Sequence, residues 1–292
     1  MKKLLILSGK GGTGKTTVAA AFLSFSGARA LADCDVDAPN LHLVSGELPR
    51  PQVTDFMGGD KAQVDRDKCL GCGKCLEHCR FGALSLAGGK ARINEYSCEG
   101  CGVCAHVCPA GAVSLLPDLA GRQELYRGER VFSTAMLKMG RGNSGKLVTK
   151  VKLDLLKNAP DCPLAIIDGS PGIGCPVIAS VGGMDLVLVV AEPSPSGISD
   201  LHRLVKTAES FQVKLAVCVN RWDMSPENTE KIEAFCLEKG LPFLGRLPYD
   251  KSATLAINRG LSAADIDCPL SEALRELYNR TMALLELPGL DS

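Results

Sequence analysis

Short, mostly apolar runs recur along the chain, and each ends in a polar or glycine-rich segment. Runs of this kind are typical of strands in a parallel sheet, because helices cover both faces of such a sheet. Residues 18–23 follow the first run and have the composition of a buried helix. The pattern therefore predicts an α/β protein with a mostly parallel sheet flanked by helices. The strand-like runs are Leu4–Leu7, Arg29–Ala32, Leu164–Ile167, Leu186–Ala191 and Leu215–Val219.

A glycine-rich loop, residues 8–17, joins the first run to this helix. Gly9, four further residues and then Gly14-Lys15-Thr16 match the phosphate loop of P-loop NTPases, in which lysine contacts the β/γ oxygens and the hydroxyl binds Mg²⁺. A glycine-rich turn that binds nothing is the alternative, but the spacing, the lysine, the hydroxyl and the strand-to-helix order all favour the phosphate loop. The nucleotide contacts expected here are Gly11, Gly12, Thr13, Gly14, Lys15, Thr16 and Thr17.

Lys10 adds a second lysine directly after the first glycine. This arrangement resembles the deviant Walker A loop of the MinD/ParA/Mrp ATPases and the nitrogenase iron protein. In that family the lysine reaches across a nucleotide-sandwich dimer to the phosphates of the other subunit. The resemblance implies a Mg²⁺-dependent ATPase in which Lys10 acts in trans and Lys15 in cis. It also implies ATP-induced dimerisation, with an identical chain or a paralogue, and slow hydrolysis without a partner.

The same resemblance assigns roles to several carboxylates. Asp33 and Asp35 follow the second run, where the family carries the Asp-x-Asp of switch I, which implies that both lie near Mg²⁺ and that Asp35 orients the attacking water. Asp168 follows Leu164–Ile167 and resembles the Walker B aspartate that holds Mg²⁺, with switch II after it. An Asp-rich turn that merely ends a strand is the alternative for the first pair.

A base-binding site is expected from two later segments. Asn220 follows Leu215–Val219, where the family binds adenine, and Arg221 comes next. The run from Asn220 to Asp223 is also loosely similar to the Asn-Lys-x-Asp of GTPases, which keeps guanine open. Pro248 begins a segment that resembles the other wall of the base pocket.

Two cysteine runs set the middle of the chain apart, and both have the spacing C-x₂-C-x₂-C-x₃-C. This is the spacing of bacterial ferredoxins, in which the fourth cysteine of each run ligates the other cluster. Zinc is the alternative, although zinc ribbons usually need only two cysteine pairs. We therefore expect two [4Fe-4S] clusters. Their ligands are Cys69, Cys72, Cys75 and Cys108 for cluster one, and Cys98, Cys101, Cys104 and Cys79 for cluster two.

The position of these runs predicts an insertion. An α+β ferredoxin domain at residues 59–118 would interrupt an ATPase domain formed by residues 1–58 and 119–292, since phosphate-loop motifs resume afterwards. Arg80 replaces the proline that commonly follows the fourth cysteine, whereas Pro109 keeps it. The leading hypothesis is ATP-gated electron transfer to a redox partner protein. The alternatives are an iron–sulfur carrier and a redox-sensing partitioning or scaffold protein.

Cys175 lies seven residues beyond Asp168, the spacing at which the nitrogenase iron protein places a cysteine of its shared cluster. The second cysteine of that enzyme has no counterpart in Gly140–Gly145. A shared cluster and a structural cysteine both remain open for Cys175.

Composition narrows the classes of partner. Lys and Arg together number 33, as do Asp and Glu, so no basic footprint for nucleic acid is evident. The 14 cysteines, in metal-binding spacing beside a phosphate loop, predict a reduced, cytoplasmic setting rather than disulfides. Residues 270–285 have helical periodicity but mixed charge, which favours a helix packed on the sheet over a membrane anchor.

Overall fold

The computed structural model describes residues 1–159 and 161–289. Within them, strands and helices alternate along most of the chain. The strands are β1 (Lys2–Leu7), β2 (Ala30–Asp33), β3 (Gln52–Val64), β4 (Leu84–Ala87), β5 (Lys90–Ile93), β6 (Val113–Arg127), β7 (Val131–Leu137), β8 (Leu164–Asp168), β9 (Leu186–Ala191), β10 (Lys214–Asn220) and β11 (Phe243–Leu247). The helices are α1 (Lys15–Ser26), α2 (Lys74–Glu77), α3 (Val103–His106), α4 (Ser144–Asn158), α5 (Cys175–Val181), α6 (Pro195–Glu209), α7 (Pro226–Lys239), α8 (Lys251–Ile257) and α9 (Pro269–Leu285).

The main sheet has the strand order β11-β10-β9-β1-β8-β2-β7-β6-β3. β1 pairs in parallel with both β8 and β9, and β2 pairs in parallel with β8 and β7. Residues 4–7 of β1 are completely buried, as expected for a central strand with helices on both faces. The prediction of an α/β P-loop NTPase fold with a mostly parallel sheet is therefore confirmed.

Helices α1 and α9 contribute to the largest core cluster. Phe22 of α1 meets Tyr278 of α9 edge to face, with ring centroids 5.3 Å apart. Leu274 and Leu277 of α9 are at most 1% exposed, so the apolar side of this helix packs inside the protein. Within the described residues, no helix has the length and apolar character needed to cross a membrane.

The chain divides into two compact units. The first comprises Met1–Val53, Gln123–Met136 and Ser144–Ser292, of which residues 160 and 290–292 lie outside the described ones. The second comprises Thr54–Arg122 and Leu137–Asn143, a wider range than the 59–118 expected for the insertion. The difference arises because β3 and β6 run straight through the expected boundaries at 58 and 118.

Gly58 allows β3 to continue through the domain boundary that the sequence predicted at residue 58. A Cβ on Gly58 would lie 2.7 Å from the Cβ of Ala120, so this close approach needs glycine.

The second unit also holds the antiparallel pair β4–β5 and the one-turn helices α2 and α3. Each of these two helices is preceded by a glycine with positive φ, Gly73 at 76° and Gly102 at 79°.

Candidate nucleotide site and cysteine pockets

The loop between β1 and α1 brings the predicted phosphate-binding lysine against carboxylates from two other strands. Lys15 Nζ lies 3.2 Å from Asp168 Oδ1 and 3.5 Å from Asp35 Oδ2. Thr16 Oγ1 donates a hydrogen bond of 2.6 Å to Asp168 Oδ2. The carboxyl ends of neighbouring parallel strands meet at one sheet edge, which is why residues so distant in sequence converge here.

Burial makes this cluster electrostatically unusual. It raises the pKa of Asp35 and, despite the nearby Lys15 ammonium, that of the fully buried Asp168. For Asp33, burial and then repulsion by Asp168 raise the pKa to about 7. Burial alone would lower the pKa of Lys15, but attraction by Asp168, Asp35 and Asp33 outweighs it, and the net shift is upward. Lys15 therefore remains protonated, and the three carboxylates around it outnumber its single positive charge.

The Asp33 carboxylate holds a loop together. Its Oδ1 accepts a hydrogen bond from Asp35 N at 2.9 Å, and its Oδ2 accepts from Asn40 N at 2.8 Å and Leu41 N at 2.9 Å. Both oxygens are thus engaged by the backbone of the segment that follows β2. A position of Asp33 close to Mg²⁺ remains a prediction, whereas its contacts here fix the segment that carries Asp35.

Segments after three strands are joined by hydrogen bonds beside the loop. Gly172 N donates to Ser8 O at 3.0 Å, Ser170 Oγ donates to Cys34 O, and Cys34 N donates to Asp168 O at 2.8 Å. The phosphate loop and the segments expected to be switch I and switch II therefore share one hydrogen-bond network.

Lys10 forms an ion pair that sequence reasoning missed. Its Nζ lies 2.8 Å from Glu192 Oε2, with the two side chains 38% and 24% exposed. Glu192 follows β9, so the only available signal was a carboxylate at the end of a strand neighbouring β1. Gly9, next to Lys10, must lack a side chain, because a Cβ there would lie 2.3 Å from the Cβ of Asp200.

The residues expected to bind the base line one pocket. Asn220 Nδ2 donates to Thr13 O at 2.7 Å, which ties the end of β10 to the phosphate loop. A Cβ on Gly14 would lie only 2.2 Å from Asn220 Nδ2. Thr254 of helix α8 and Asn258, which follows this helix, also line the pocket, although no motif predicted them. Predicted residues among the lining are Gly14, Thr17, Asn220, Arg221 and Pro248.

The eight cysteines of the two runs surround two separate pockets of the second unit. Each pocket takes its fourth cysteine from the other run, which is the grouping expected from the sequence. Within residues 1–159 and 161–289, no three His, Cys, Asp or Glu side chains are arranged to hold a single metal ion. One pocket is lined by Cys69, Cys72, Cys75 and Cys108, and the other by Cys79, Cys98, Cys101 and Cys104.

Backbone N–H groups point at several of these sulfur atoms. Ala112 N donates to Cys108 Sγ at 3.3 Å. Ala91 N donates to Cys69 Sγ at 3.4 Å, and the hydrogen bonds from Ala91 and Gly71 lower the pKa of this thiol. N–H donors of this kind stabilise a thiolate, and hydrogen bonds to sulfur tune iron–sulfur centres. The donor set therefore fits iron–sulfur clusters.

The remaining cysteines behave as apolar side chains, apart from Cys175. Burial raises the pKa of Cys218 to about 12 and that of Cys236 to about 11, which keeps both as neutral thiols. Cys175 is exposed at the start of α5, packed at its carbonyl against Gly145. Buried cysteines outside the two pockets are Cys34, Cys162, Cys218, Cys236 and Cys268.

Comparison with known proteins gives consistent results. The model of the CobQ/CobB/MinD/ParA nucleotide binding domain matches residues 4–263. Among relatives, the uncharacterized protein MJ0578 of Methanocaldococcus jannaschii is 31% identical over 285 residues, covering 95% of each chain. MJ0579 of the same organism is 30% identical over 287 residues, covering 86% of this chain and 87% of its own. An iron–sulfur cluster carrier protein of Methanococcus maripaludis is 25% identical over 130 residues, covering 40% and 45%.

Solved structures support the same fold. The septum site-determining protein MinD of Pyrococcus horikoshii, complexed with Mg-ADP, has a TM-score of 0.58 at 17% identity, covering 97% of both chains. The cell division ATPase MinD of Pyrococcus furiosus has a TM-score of 0.56 at 17% identity, covering 97% of this chain and 99% of its own. At these identities the likeness establishes the architecture.

Proposed function

The chain belongs to the CobQ/CobB/MinD/ParA nucleotide-binding family, and from this premise we propose that it hydrolyses ATP and couples the nucleotide state to electron transfer through two [4Fe-4S] clusters. The observation that carries the proposal is the presence, in one chain, of a charged phosphate-loop site and two pockets that are each lined by four cysteines.

Oxygen ligands of the right kind surround Lys15. Thr16 offers a hydroxyl, and Asp35 and Asp168 offer carboxylates, which are the hard donors that Mg²⁺ prefers. When bound, Mg²⁺ would supply charge neutralisation at the phosphates. The N–H groups of residues 11–17 would bind phosphate oxygens at the N-terminus of α1. Asp35 would orient the attacking water, and Asn220 with Pro248 would hold the base.

Ion pairs at the phosphate loop suggest how the switch operates. Lys15 is neutralised by Asp168 and Asp35, and Lys10 by Glu192. Phosphates entering the loop would compete for Lys15 and so free Asp35 to hold water. Lys10 would in turn leave Glu192 to reach the phosphates of a partner subunit. Dimerisation and hydrolysis would both require Lys10 and Lys15 to exchange their carboxylate partners within the chain for phosphate.

The pockets of the second unit would hold the clusters. Cys69, Cys72, Cys75 and Cys108 would ligate cluster one, and Cys79, Cys98, Cys101 and Cys104 cluster two. Four thiolates at each cluster leave no open coordination position, which suits a resident electron carrier.

A second candidate is an iron–sulfur carrier, which the partial likeness to the M. maripaludis carrier protein favours. Transfer of iron and sulfide to an apo-acceptor at a useful rate would support this candidate. Retention of both clusters through many ATP turnovers would support resident clusters.

The deciding experiment is anaerobic EPR of the dithionite-reduced protein, titrated for potential with and without a non-hydrolysable ATP analogue. Spin coupling between two reduced clusters, with potentials that move on nucleotide binding, is the expected result. Lys15→Ala is the control and should remove the nucleotide effect while leaving both clusters. Potentials that do not change on nucleotide binding would show that ATP hydrolysis and electron transfer are not coupled. The absence of a paramagnetic cluster would favour zinc as the metal bound by the cysteines.

A further inference from the structure

The second unit is built on an internal repeat that extends beyond the cysteine runs. Residues around Cys69 and around Cys98 occupy equivalent positions and make equivalent hydrogen bonds, so the two pockets can be compared position by position. Lys90 Nζ donates to Cys69 O, and Lys61 Nζ donates in the same way to Cys98 O. Ala91 N donates to Cys69 Sγ, and Ala62 N donates to Cys98 Sγ. Asp65 N donates to Ala112 O, and Asn94 N donates to Ala83 O.

The first pocket has a basic, apolar rim. Cys72 is its exposed cysteine. Leu70 lines the same pocket and is 72% exposed, a high value for a large apolar side chain, and Lys74 lines it as well. We call these three residues the basic rim.

The second pocket has a different rim at the equivalent positions. Cys101 is its exposed cysteine. Glu99 stands where the basic rim has leucine, and Val103, 40% exposed, stands where it has lysine. Phe81, 47% exposed, adds a further apolar side chain. One rim therefore carries a cation and the other a carboxylate.

Charges in the segment before each run leave this difference in place, because Asp65 and Asp67 balance Arg66 and Lys68 in the first repeat. Lys68, 66% exposed, precedes Cys69, although Asp65 lies 3.3 Å from its ammonium. Arg66 belongs to the same segment, and its guanidinium donates a hydrogen bond to Ala87 O at 3.2 Å. In the second repeat the residues equivalent to Arg66 and Lys68 are Glu95 and Ser97.

Two arginines near the second pocket reduce the difference in charge between the two rims but do not reverse it. Arg141 pairs with Glu95 at 2.6 Å and so neutralises it, and Arg80 follows Cys79. The carboxylate directly on this rim remains Glu99, as Lys74 remains the cation on the basic rim.

We propose that the basic rim of Leu70, Cys72 and Lys74 is the docking surface for a small electron-carrier protein with an acidic surface. This inference rests on the proposed function, since it assumes a cluster behind the rim. Electron-transfer encounters bury little area and depend on electrostatic steering around a small contact. An exposed leucine beside a lysine and an exposed cluster cysteine offers those features. One electron would pass from the reduced [4Fe-4S] cluster, which is thereby oxidised, to the oxidised centre of the carrier.

The test uses the full-length protein with its clusters, reduced by dithionite and freed of excess reductant. Stopped-flow absorbance follows electron transfer to an acidic rubredoxin, with basic cytochrome c as the opposite probe, over a series of ionic strengths. Lys74→Val and Glu99→Leu are matched variants, because each gives its rim the residue found at the equivalent position of the other repeat. EPR titration of each variant corrects the rates for any change in potential.

At low salt, Lys74→Val should slow reduction of rubredoxin by about threefold or more, as loss of a rim charge lowers association rates. Glu99→Leu, after correction for any change in potential, should slow this reaction less than Lys74→Val does, and added salt should bring wild type and Lys74→Val together. Reduction of cytochrome c should not slow in Lys74→Val. Equal effects of the two variants on rubredoxin, or an effect that persists at high salt, would overturn the docking surface. Iron, sulfide and EPR analysis of the wild type tests the proposed function separately, since a protein without reducible clusters fails before any probe is added.

Discussion

Lys15 is central to the proposed nucleotide site, because its side chain is only 7% exposed and its ammonium faces two carboxylates. Lys15→Met should abolish ATP binding. It should also lower the free energy of unfolding of the nucleotide-free protein by about 3 kcal/mol, since removal of one partner leaves buried charge uncompensated. Urea denaturation at neutral pH measures this. Lys10→Met is the matched control, and removal of its part-exposed pair should cost about 1 kcal/mol or less. Equal losses would contradict the central role of Lys15.

Asp33 should make stability depend on pH. Its pKa in the folded protein is about 7, raised by burial and then by Asp168, whereas an unfolded aspartate titrates near its ordinary value of 3.8. The folded state therefore binds more protons between about pH 4 and pH 7, so this group lowers stability as pH rises through that window and has no further effect above it. Urea midpoints of the nucleotide-free protein from pH 5 to pH 8 should show the fall.

Asp33→Asn should flatten this profile, because the amide does not titrate. Replacement of an exposed carboxylate such as Glu209 by glutamine should leave the profile as it is in wild type. An unchanged slope in Asp33→Asn would assign the pH dependence to another group.

At this scale, the sequence could predict residues that act through a local pattern. The phosphate loop, Asp168 and the cysteine runs each have a motif and a spacing. The ion pair of Lys10 with Glu192 and the backbone bonds of Asp33 could not be predicted, because they depend on which loops meet in space.

Helices α4 and α5 are joined by a buried ammonium. Lys152 Nζ donates to Ala179 O, Ser180 O and Gly182 O, each at 2.7 Å, and so satisfies carbonyls at the C-terminal end of α5. Lys152→Met should lower stability by about 2–4 kcal/mol and raise hydrogen exchange in residues 175–182, because those carbonyls lose their donor. Lys146→Met, an exposed position on the same helix, should change neither quantity. Hydrogen-exchange mass spectrometry checks both variants.

Strand lengths were the least predictable feature of the elements. The central strands were evident as apolar runs, since burial on both faces leaves a continuous signal. β3 and β6 carry glycine, proline and exposed polar residues, which weaken that signal although both strands extend past 12 residues. β7 follows β6 directly along the chain, but the neighbour of β3 in the sheet is β6, which lies far away in sequence. The local pattern therefore could not show where β3 ends.

For the whole molecule, the proposed role of Lys10 predicts that nucleotide binding and dimerisation can be separated by one substitution. A non-hydrolysable ATP analogue with Mg²⁺ should convert wild type from monomer to dimer in sedimentation velocity. Lys10→Ala should still bind the analogue, because Lys15 and residues 11–17 are intact, yet remain monomeric. Isothermal titration of the same samples verifies binding. Dimerisation of Lys10→Ala as tight as in wild type would refute a role for Lys10 across the interface.

The division of the chain into units has a consequence for biosynthesis. The second unit is complete once residue 143 has been made, whereas β1, which is synthesised before it, needs β8 and β9 as its partners. Domains generally fold as units during translation, the N-terminal parts first. The cysteine pockets can therefore form while β1 is still unpaired, and the proposed clusters would be inserted at that stage. Iron supply during translation, rather than ATP, would then decide how much of the protein matures.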